Sequence, residues 1–234
     1  MPDLPSYLLP RPPMPVDEAT LGAFDALYAA ASESGGAEID YRLAAPRWQF
    51  LCHLADTKEI VLHGSGSPDI ELFEPRQADD VNPFGDRKAV YAAGDGIWPL
   101  YYAILDRQRY PMSLINSASR LGLANQQRSD PFYFFSISAK ALAQRPFHRG
   151  TVYLLPRATF EEQGPDRFGE WDIHIPQWAS LAPVRPLARL AVGPEDFPFL
   201  EQLRGHDDVV AFARARANPG GFPWLDDESI SGSD

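Results

Sequence analysis

The residue types that invite chemistry gather in one stretch, Glu59 to Leu105. A short apolar run, Ile60-Val61-Leu62, ends on His63-Gly64-Ser65. A second apolar piece, Ala89-Val90-Tyr91-Ala92-Ala93, places Tyr91 28 residues after that histidine. A polar connection joins them and carries Glu74-Pro75-Arg76 and the turn-rich Asn82-Pro83-Phe84-Gly85-Asp86. Connections longer than about a dozen residues are uncommon unless functional or disordered, so two strand ends flanking this one predict a pocket. A histidine supplies hydrogen bonds there, a glycine lets a ligand approach the main chain, and one of Arg76, Arg87 and Lys88 suits a pyrophosphate, a guanidinium fork best of all. Each residue also has a purely structural reading. His63 would be a strand-end histidine satisfied by loop carbonyls, Tyr91 a core tyrosine, and Arg76, Arg87 and Lys88 solvated loop charges.

The elements that must hold these residues are legible from periodicity. Asp17 and Glu18 begin a helix to about Ser34, with Leu21, Phe24, Leu27, Tyr28 and Ala31 at helical spacing, and Gly35-Gly36 stops it. Pro46 suits the first position of a second helix over residues 47–55, whose stripe is Trp48, Leu51, Cys52 and Ala55, with His53 beside it as a structural histidine. A third helix over 97–105 follows the Tyr91 strand. Residues 106–130 read as polar and irregular, a surface loop or a lid. Strands are expected at 132–138, 151–155, 171–175 and 184–192, and a last helix at 207–217. The six prolines of residues 1–16 predict an extended arm, and the acidic stretch 218–234 a flexible tail. Helices followed by many short strands with few helices between them predict an α+β chain with antiparallel sheets, built as a single domain over 17–217.

The run LHGS, followed by VYAA and a helix, resembles the NAD-binding half of the ADP-ribosyltransferase fold. It is similar to the branch with a His-Tyr-Glu triad, which includes the poly(ADP-ribose) polymerase catalytic domains. It also resembles bacterial proteins of no assigned function with an HGS…EPR…VYAA layout. The resemblance covers residues 59–105 and extends faintly to about 192. It implies two packed, mainly antiparallel sheets with flanking helices, and NAD as the substrate, with no metal. Cleavage of the bond from ribose to nicotinamide leaves positive charge on the sugar, which a nearby carboxylate or strong acceptor stabilises. Carried over, His63 would bond the adenosine-side ribose and Gly64 would clamp the carboxamide with its backbone. Ser65 would bond the carboxamide or a neighbouring hydroxyl, and Tyr91 would stack on the nicotinamide. Two positions compete for the acidic member. Glu170 is the right acid but lies far before Val184; Gln177 fits the spacing and carries an amide, which predicts slow transfer or binding alone.

Composition bounds the alternatives. Twenty-one basic and thirty-two acidic residues give a net charge of −11, which makes generic nucleic-acid binding unlikely. A related family uses NAD to remove an RNA 2′-phosphate, a chemistry that wants several Arg and His residues; the charge and the single motif histidine weigh against it. A single cysteine, Cys52, excludes an intramolecular disulfide and a multi-thiolate zinc site, and reads as a core residue. The five histidines show no metal spacing, and Gly64-Ser65-Gly66-Ser67 puts glycine at the centre of a nucleophile elbow. No signal segment and no apolar run of about 18 residues is present, which predicts a cytoplasmic protein with no membrane span. A non-catalytic interaction module on the same fold, with a protein partner, remains the alternative to transfer of ADP-ribose to a protein acceptor or water.

Overall fold

A computed structural model describes residues 5–78, 80, 82–122, 127–168, 171–218 and 220–225. Two mainly antiparallel sheets carry the chain. The first contains β1 (Leu9–Pro10), β5 (Leu114–Leu121), β6 (Phe132–Ser138), β9 (Asp166–Phe168), β10 (Trp171–His174) and β13 (Arg204–His206), in the order β1-β6-β5-β10-β9 with β13 parallel to β6. The second contains β2 (Ile60–Ser65), β3 (Arg76–Gln77), β4 (Lys88–Ala93), β7 (Gly150–Pro156), β8 (Glu161–Glu162), β11 (Gln177–Ser180) and β12 (Ala188–Val192), in the order β12-β7-β2-β4-β11-β8 with β3 on β4. Among the described residues five helices flank them: α1 (Glu18–Ser32), α2 (Arg47–Thr57), α3 (Trp98–Ile104), α4 (Ala139–Leu142) and α5 (Asp208–Ala217).

The main core lies between the sheets. Tyr133, Phe135 and Ile137 of β6 meet Leu62, Val152, Leu154 and Leu190 of the second sheet around α3 and α2. Seven residues are too few for a helix to be stable alone, so α3 exists because the core takes Leu100, Tyr101 and Ile104. Its start is fixed by Asp95, 1% exposed, whose Oδ1 accepts the N–H groups of Ile97 and Trp98 at 2.9 and 2.7 Å. The other oxygen accepts the Tyr133 hydroxyl at 2.6 Å. A buried carboxylate is tolerated when every lone pair direction meets a donor and a helix N-terminus faces it. Two glycines let α3 lie directly on the sheet. A Cβ at Gly64 would sit 1.8 Å from the Pro99 carbonyl oxygen, and one at Gly150 would sit 1.9 Å from that of Ala103.

Three expectations change. Residues 106–130 are not irregular throughout, because 114–121 form β5, paired with β6 from Leu114↔Ile137 to Ser119↔Phe132. Its serines and asparagine hid it: Ser117 and Ser119 bond each other at 2.6 Å, and Asn116 is met by Trp98 and Tyr102 of α3. The last strand of the second sheet begins at Ala188, since Pro186 cannot donate to the ladder. The extended arm lies on the domain, where Leu9 and Pro10 pair with Tyr133 and Phe132 and Arg11 bonds Asp56 at 2.7 Å. Part of the stretch read as tail is folded as well, with Phe222 edge-on to Phe134 and Leu225 6% exposed; residues 226–234 lie outside the described residues. His53 is structural, bonding Asp25 at 2.8 Å, and Cys52 is buried with its thiol pKa pushed up by that burial.

Candidate functional site: a fork between two strands

β2 and β4 touch at one pair, Leu62↔Ala93, and then diverge. β2 continues alongside β7 to Ser65↔Thr151, while β4 pairs with β11 on one side and with β3 on the other. The segment 66–75 lies across the opening. Phe73 exchanges both main-chain hydrogen bonds with Val184, at 2.8 and 2.9 Å, and packs edge-on against His63 and Tyr153. The Tyr153 hydroxyl donates to the Ser67 carbonyl at 2.6 Å and accepts from the Ile70 N–H at 2.9 Å, so this crossing is tied at three places.

His63 spans the fork. Its Nδ1 donates to the Tyr91 main-chain carbonyl at 2.7 Å. A carbonyl only accepts, so the proton is on Nδ1 and Nε2 keeps its lone pair. Burial lowers the His63 pKa; the Tyr91 carbonyl opposes the shift and the positive charge of Arg76 adds to it. The ring is therefore neutral at pH 7. Arg76 is exposed on β3 and has no ion-pair partner among the described residues. Arg87 is engaged, with Glu161 at 3.3 Å and the Phe84 ring at 4.1 Å. Ser65 accepts the Ser67 N–H at 3.1 Å and so shapes the turn after β2.

Strand register assigns the faces. Directly paired residues share a face, and neighbours along a strand alternate. His63 lies opposite Tyr153, on the face of Val61, Leu155, Val90 and Ala92. Tyr91 lies two residues from Ala93, on the other face, which meets α3. Gln177, opposite Ala93, shares the Tyr91 face. The sequence brings His63 and Tyr91 to one fork, but their side chains leave it on opposite sides of the sheet. Glu170 lies outside the described residues. Gly64 is required to be glycine by the Pro99 carbonyl whatever binds near it.

Tyr91 also holds the turn before its own strand. Its hydroxyl accepts the Arg87 N–H at 2.8 Å and lies 2.9 and 3.1 Å from the Phe84 and Arg87 carbonyls, to which it donates. The same turn faces α3: the Asp80 carboxylate is close enough to Tyr102 to affect its hydroxyl, whose pKa burial pushes up to about 12. Tyr102 and Trp98 stand one helical turn apart and both donate to Asn116 Oδ1 of β5, at 2.9 and 2.6 Å. An indole N–H only donates, so the atom it meets is oxygen, and the two N–H donors of Asn116 point elsewhere. Sequence reasoning missed Trp98, Tyr102 and Asn116. The signal was present in Trp98 and Tyr102, four apart on the helix after Tyr91, but Asn116 sat in a stretch with no strand pattern.

Comparison with protein-family models, with curated proteins and with solved structures gave no match. The Tyr91 face of the sheet carries Gln177, and α3, which packs on that face, carries Trp98 and Tyr102 bonded to Asn116: aromatic rings and neutral amides. On the His63 side the fork offers a neutral imidazole and the exposed Arg76. The first set suits a flat, uncharged or delocalised ring with hydrogen-bonding substituents, and the second suits hydroxyls and phosphate. Among the described residues no group of three or more His, Cys, Asp or Glu is arranged to hold a metal ion. No described helix is long and apolar enough to cross a membrane.

Proposed function

We propose that this chain is an NAD-binding protein of the ADP-ribosyltransferase type, with the fork between β2 and β4 as its site. The observation that carries the reading is the divergence of β2 and β4 after a single pair, with His63-Gly64-Ser65 on one branch and Tyr91 on the other. That gap is bordered by main chain at Gly64, with groups suited to nicotinamide on one face and groups suited to ribose and phosphate on the other. A dinucleotide that reaches both sets spans the fork beyond Gly64, whose α3 side the Pro99 carbonyl already fills. Binding at Tyr91 and Gln177 would orient the nicotinamide so that the ribosyl–nitrogen bond breaks with the pyridine as leaving group. A protein side chain or water would then add to the sugar.

Position 177 decides between catalysis and binding. Its amide can hydrogen-bond a ribose hydroxyl but carries no charge to offset the developing cation. An active enzyme therefore takes its carboxylate from Glu170, and a protein with only Gln177 there holds NAD as an interaction module. Calorimetry with NAD tests the site, using Tyr91→Ala beside Tyr91→Phe. Binding lost in the first and retained in the second supports stacking at Tyr91; wild-type protein that takes no NAD ends the reading. Nicotinamide release by Glu170→Gln and Gln177→Glu then assigns the acid. Release that falls in the first and is unchanged in the second assigns it to Glu170.

A further inference from the structure

A second site lies away from the fork, on the outer edge of β12. Residues 36–39 run along this edge in parallel: Gly36 N–H donates to Leu187, Arg189 N–H to Ala37, and Ile39 N–H to Arg189, at 2.9, 3.1 and 2.8 Å. At Ile39 the chain turns away, and Tyr41 N–H takes the Ile39 carbonyl at 3.0 Å. Outward-facing residues alternate along an antiparallel edge, so Ala191 presents its N–H and C=O away from β7 as Arg189 does. No hydrogen bond from outside the ladder reaches Ala191 among the described residues. Two residues on, the Gly193 N–H is closed off by Asp196 Oδ2 at 2.8 Å. One donor–acceptor pair of this edge is left open, and a cleft of about 430 Å³ lies over it.

The walls of the cleft are charged. Arg47, stacked 5.2 Å over the Tyr41 ring, reaches Asp196 with one terminal nitrogen at 3.3 Å, while its Nε is buried with no partner. Arg149 pairs with Glu195 at the surface, and Asp40 is occupied by Arg42 at 2.7 Å. Glu38 stands at the rim without an ion pair among the described residues. An exposed edge group that already accepts one parallel segment is a template for a second. The Arg47 side chain beside it stays 28% exposed after pairing with Asp196, and a guanidinium so placed takes a carboxylate. The acidic rim, with the net charge of −11, disfavours a polyanion such as nucleic acid.

We infer that the cleft at Ala191 binds an extended peptide segment that bears a single carboxylate. The segment pairs its main chain with Ala191 and sets the carboxylate on Arg47, with Arg149 alongside. The carboxylate is an acidic side chain or a free C-terminus, and the test separates the two.

Three fluorescein-labelled hexapeptides of alternating valine and threonine serve as probes: one with an internal glutamate and an amidated end, its glutamine counterpart, and the glutamine peptide with a free C-terminal acid. Fluorescence anisotropy is read on the full chain, on Arg47→Gln and on Ala191→Pro, with circular dichroism to confirm folding. Proline removes only an outward N–H at an edge, which sheets tolerate. A carboxylate peptide should bind the wild type about tenfold or more tightly than the neutral one, as a charged hydrogen bond implies. Arg47→Gln should erase that difference, and Ala191→Pro should weaken all three. Preference for the internal glutamate or for the free acid names the source. No binding by any probe, equal binding of charged and neutral probes, or a folded Ala191→Pro that binds like wild type overturns the inference. The Ala191 amide, followed by nuclear magnetic resonance during titration, must shift with the bound fraction; a silent Ala191 places binding elsewhere.

Discussion

Replacing Gly64 by alanine separates a glycine kept for packing from one kept for a ligand. The added Cβ falls 1.8 Å from the Pro99 oxygen, 2.7 Å from its carbonyl carbon and 3.1 Å from the Ala103 nitrogen. The first distance is 1.2 Å short of the 3.0 Å that real Cβ atoms keep. All three neighbours are backbone, so no rotamer change relieves the clash and α3 must move off β2 as a body. Overpacking a core costs about 1–3 kcal/mol, and a rigid neighbour puts this case at about 3 kcal/mol or more. In a chain of this size that lowers the melting temperature by about 6–12 °C. Gly150→Ala meets the Ala103 carbonyl oxygen at 1.9 Å and should behave alike. Gly22, inside α1 with nothing within 4 Å, is the counter-case, and alanine there should stabilise by about 0.5–1 kcal/mol. Thermal unfolding without ligand reads all three. A Gly64→Ala protein melting within about 1 °C of the wild type would refute the argument, since helix and strand would then be free to part. If the argument stands, NAD affinity lost in this variant says nothing about where NAD binds.

Tyr91→Phe keeps the ring but strips the hydroxyl from the Arg87 N–H, so it should cost about 1–3 kcal/mol in urea unfolding while retaining most NAD affinity. Asn116→Leu removes the acceptor for Trp98 and Tyr102 together; indole fluorescence should change and NAD binding should weaken about tenfold, whereas an unaltered affinity would remove Asn116 from the site. Burial lowers the pKa of His63, His174 and His206, so between their folded values and the unfolded value near 6.5 the unfolded chain binds more protons. Stability should thus be fully present above about pH 7 and fall as the pH drops through 6.5, and His63→Gln should flatten part of that fall; a curve level from pH 7 to 5 would contradict it.

Motif reading found β2 and β4 because both strands announce themselves. Ile60-Val61-Leu62 and Ala89-Val90 are apolar on both faces, as strands buried on both faces must be, and each ends where the polar connection begins. It missed β5 because Leu114–Leu121 owes its pairing to β6 and its polar side chains to partners far along the chain. Local propensity carries no trace of a Trp98 that supplies Asn116 with its hydrogen bond. β11 was missed for a related reason: the sequence reading weighed Gln177 as a site residue, and the strand that positions it gains its register only from β4.

The divergence of β2 and β4 follows from which neighbour each strand can satisfy. β2 is pinned to β7 along its whole length, and Gly64 and Gly150 let both strands share α3. β4 is pulled the other way by four pairs with β11. Beyond Leu62↔Ala93 the main chain between them would be left unsatisfied, at a cost of about 1–3 kcal/mol for each buried group. One side chain and two short main-chain pairings replace the missing ladder: His63 takes the Tyr91 carbonyl, β3 takes the start of β4, and Phe73 closes the far side by pairing with Val184. His63 is thus structural whatever binds here. Its Nδ1 is spent holding the fork at its width, and if NAD binds as proposed, Nε2, with its lone pair, is the nitrogen left to meet a ribose hydroxyl.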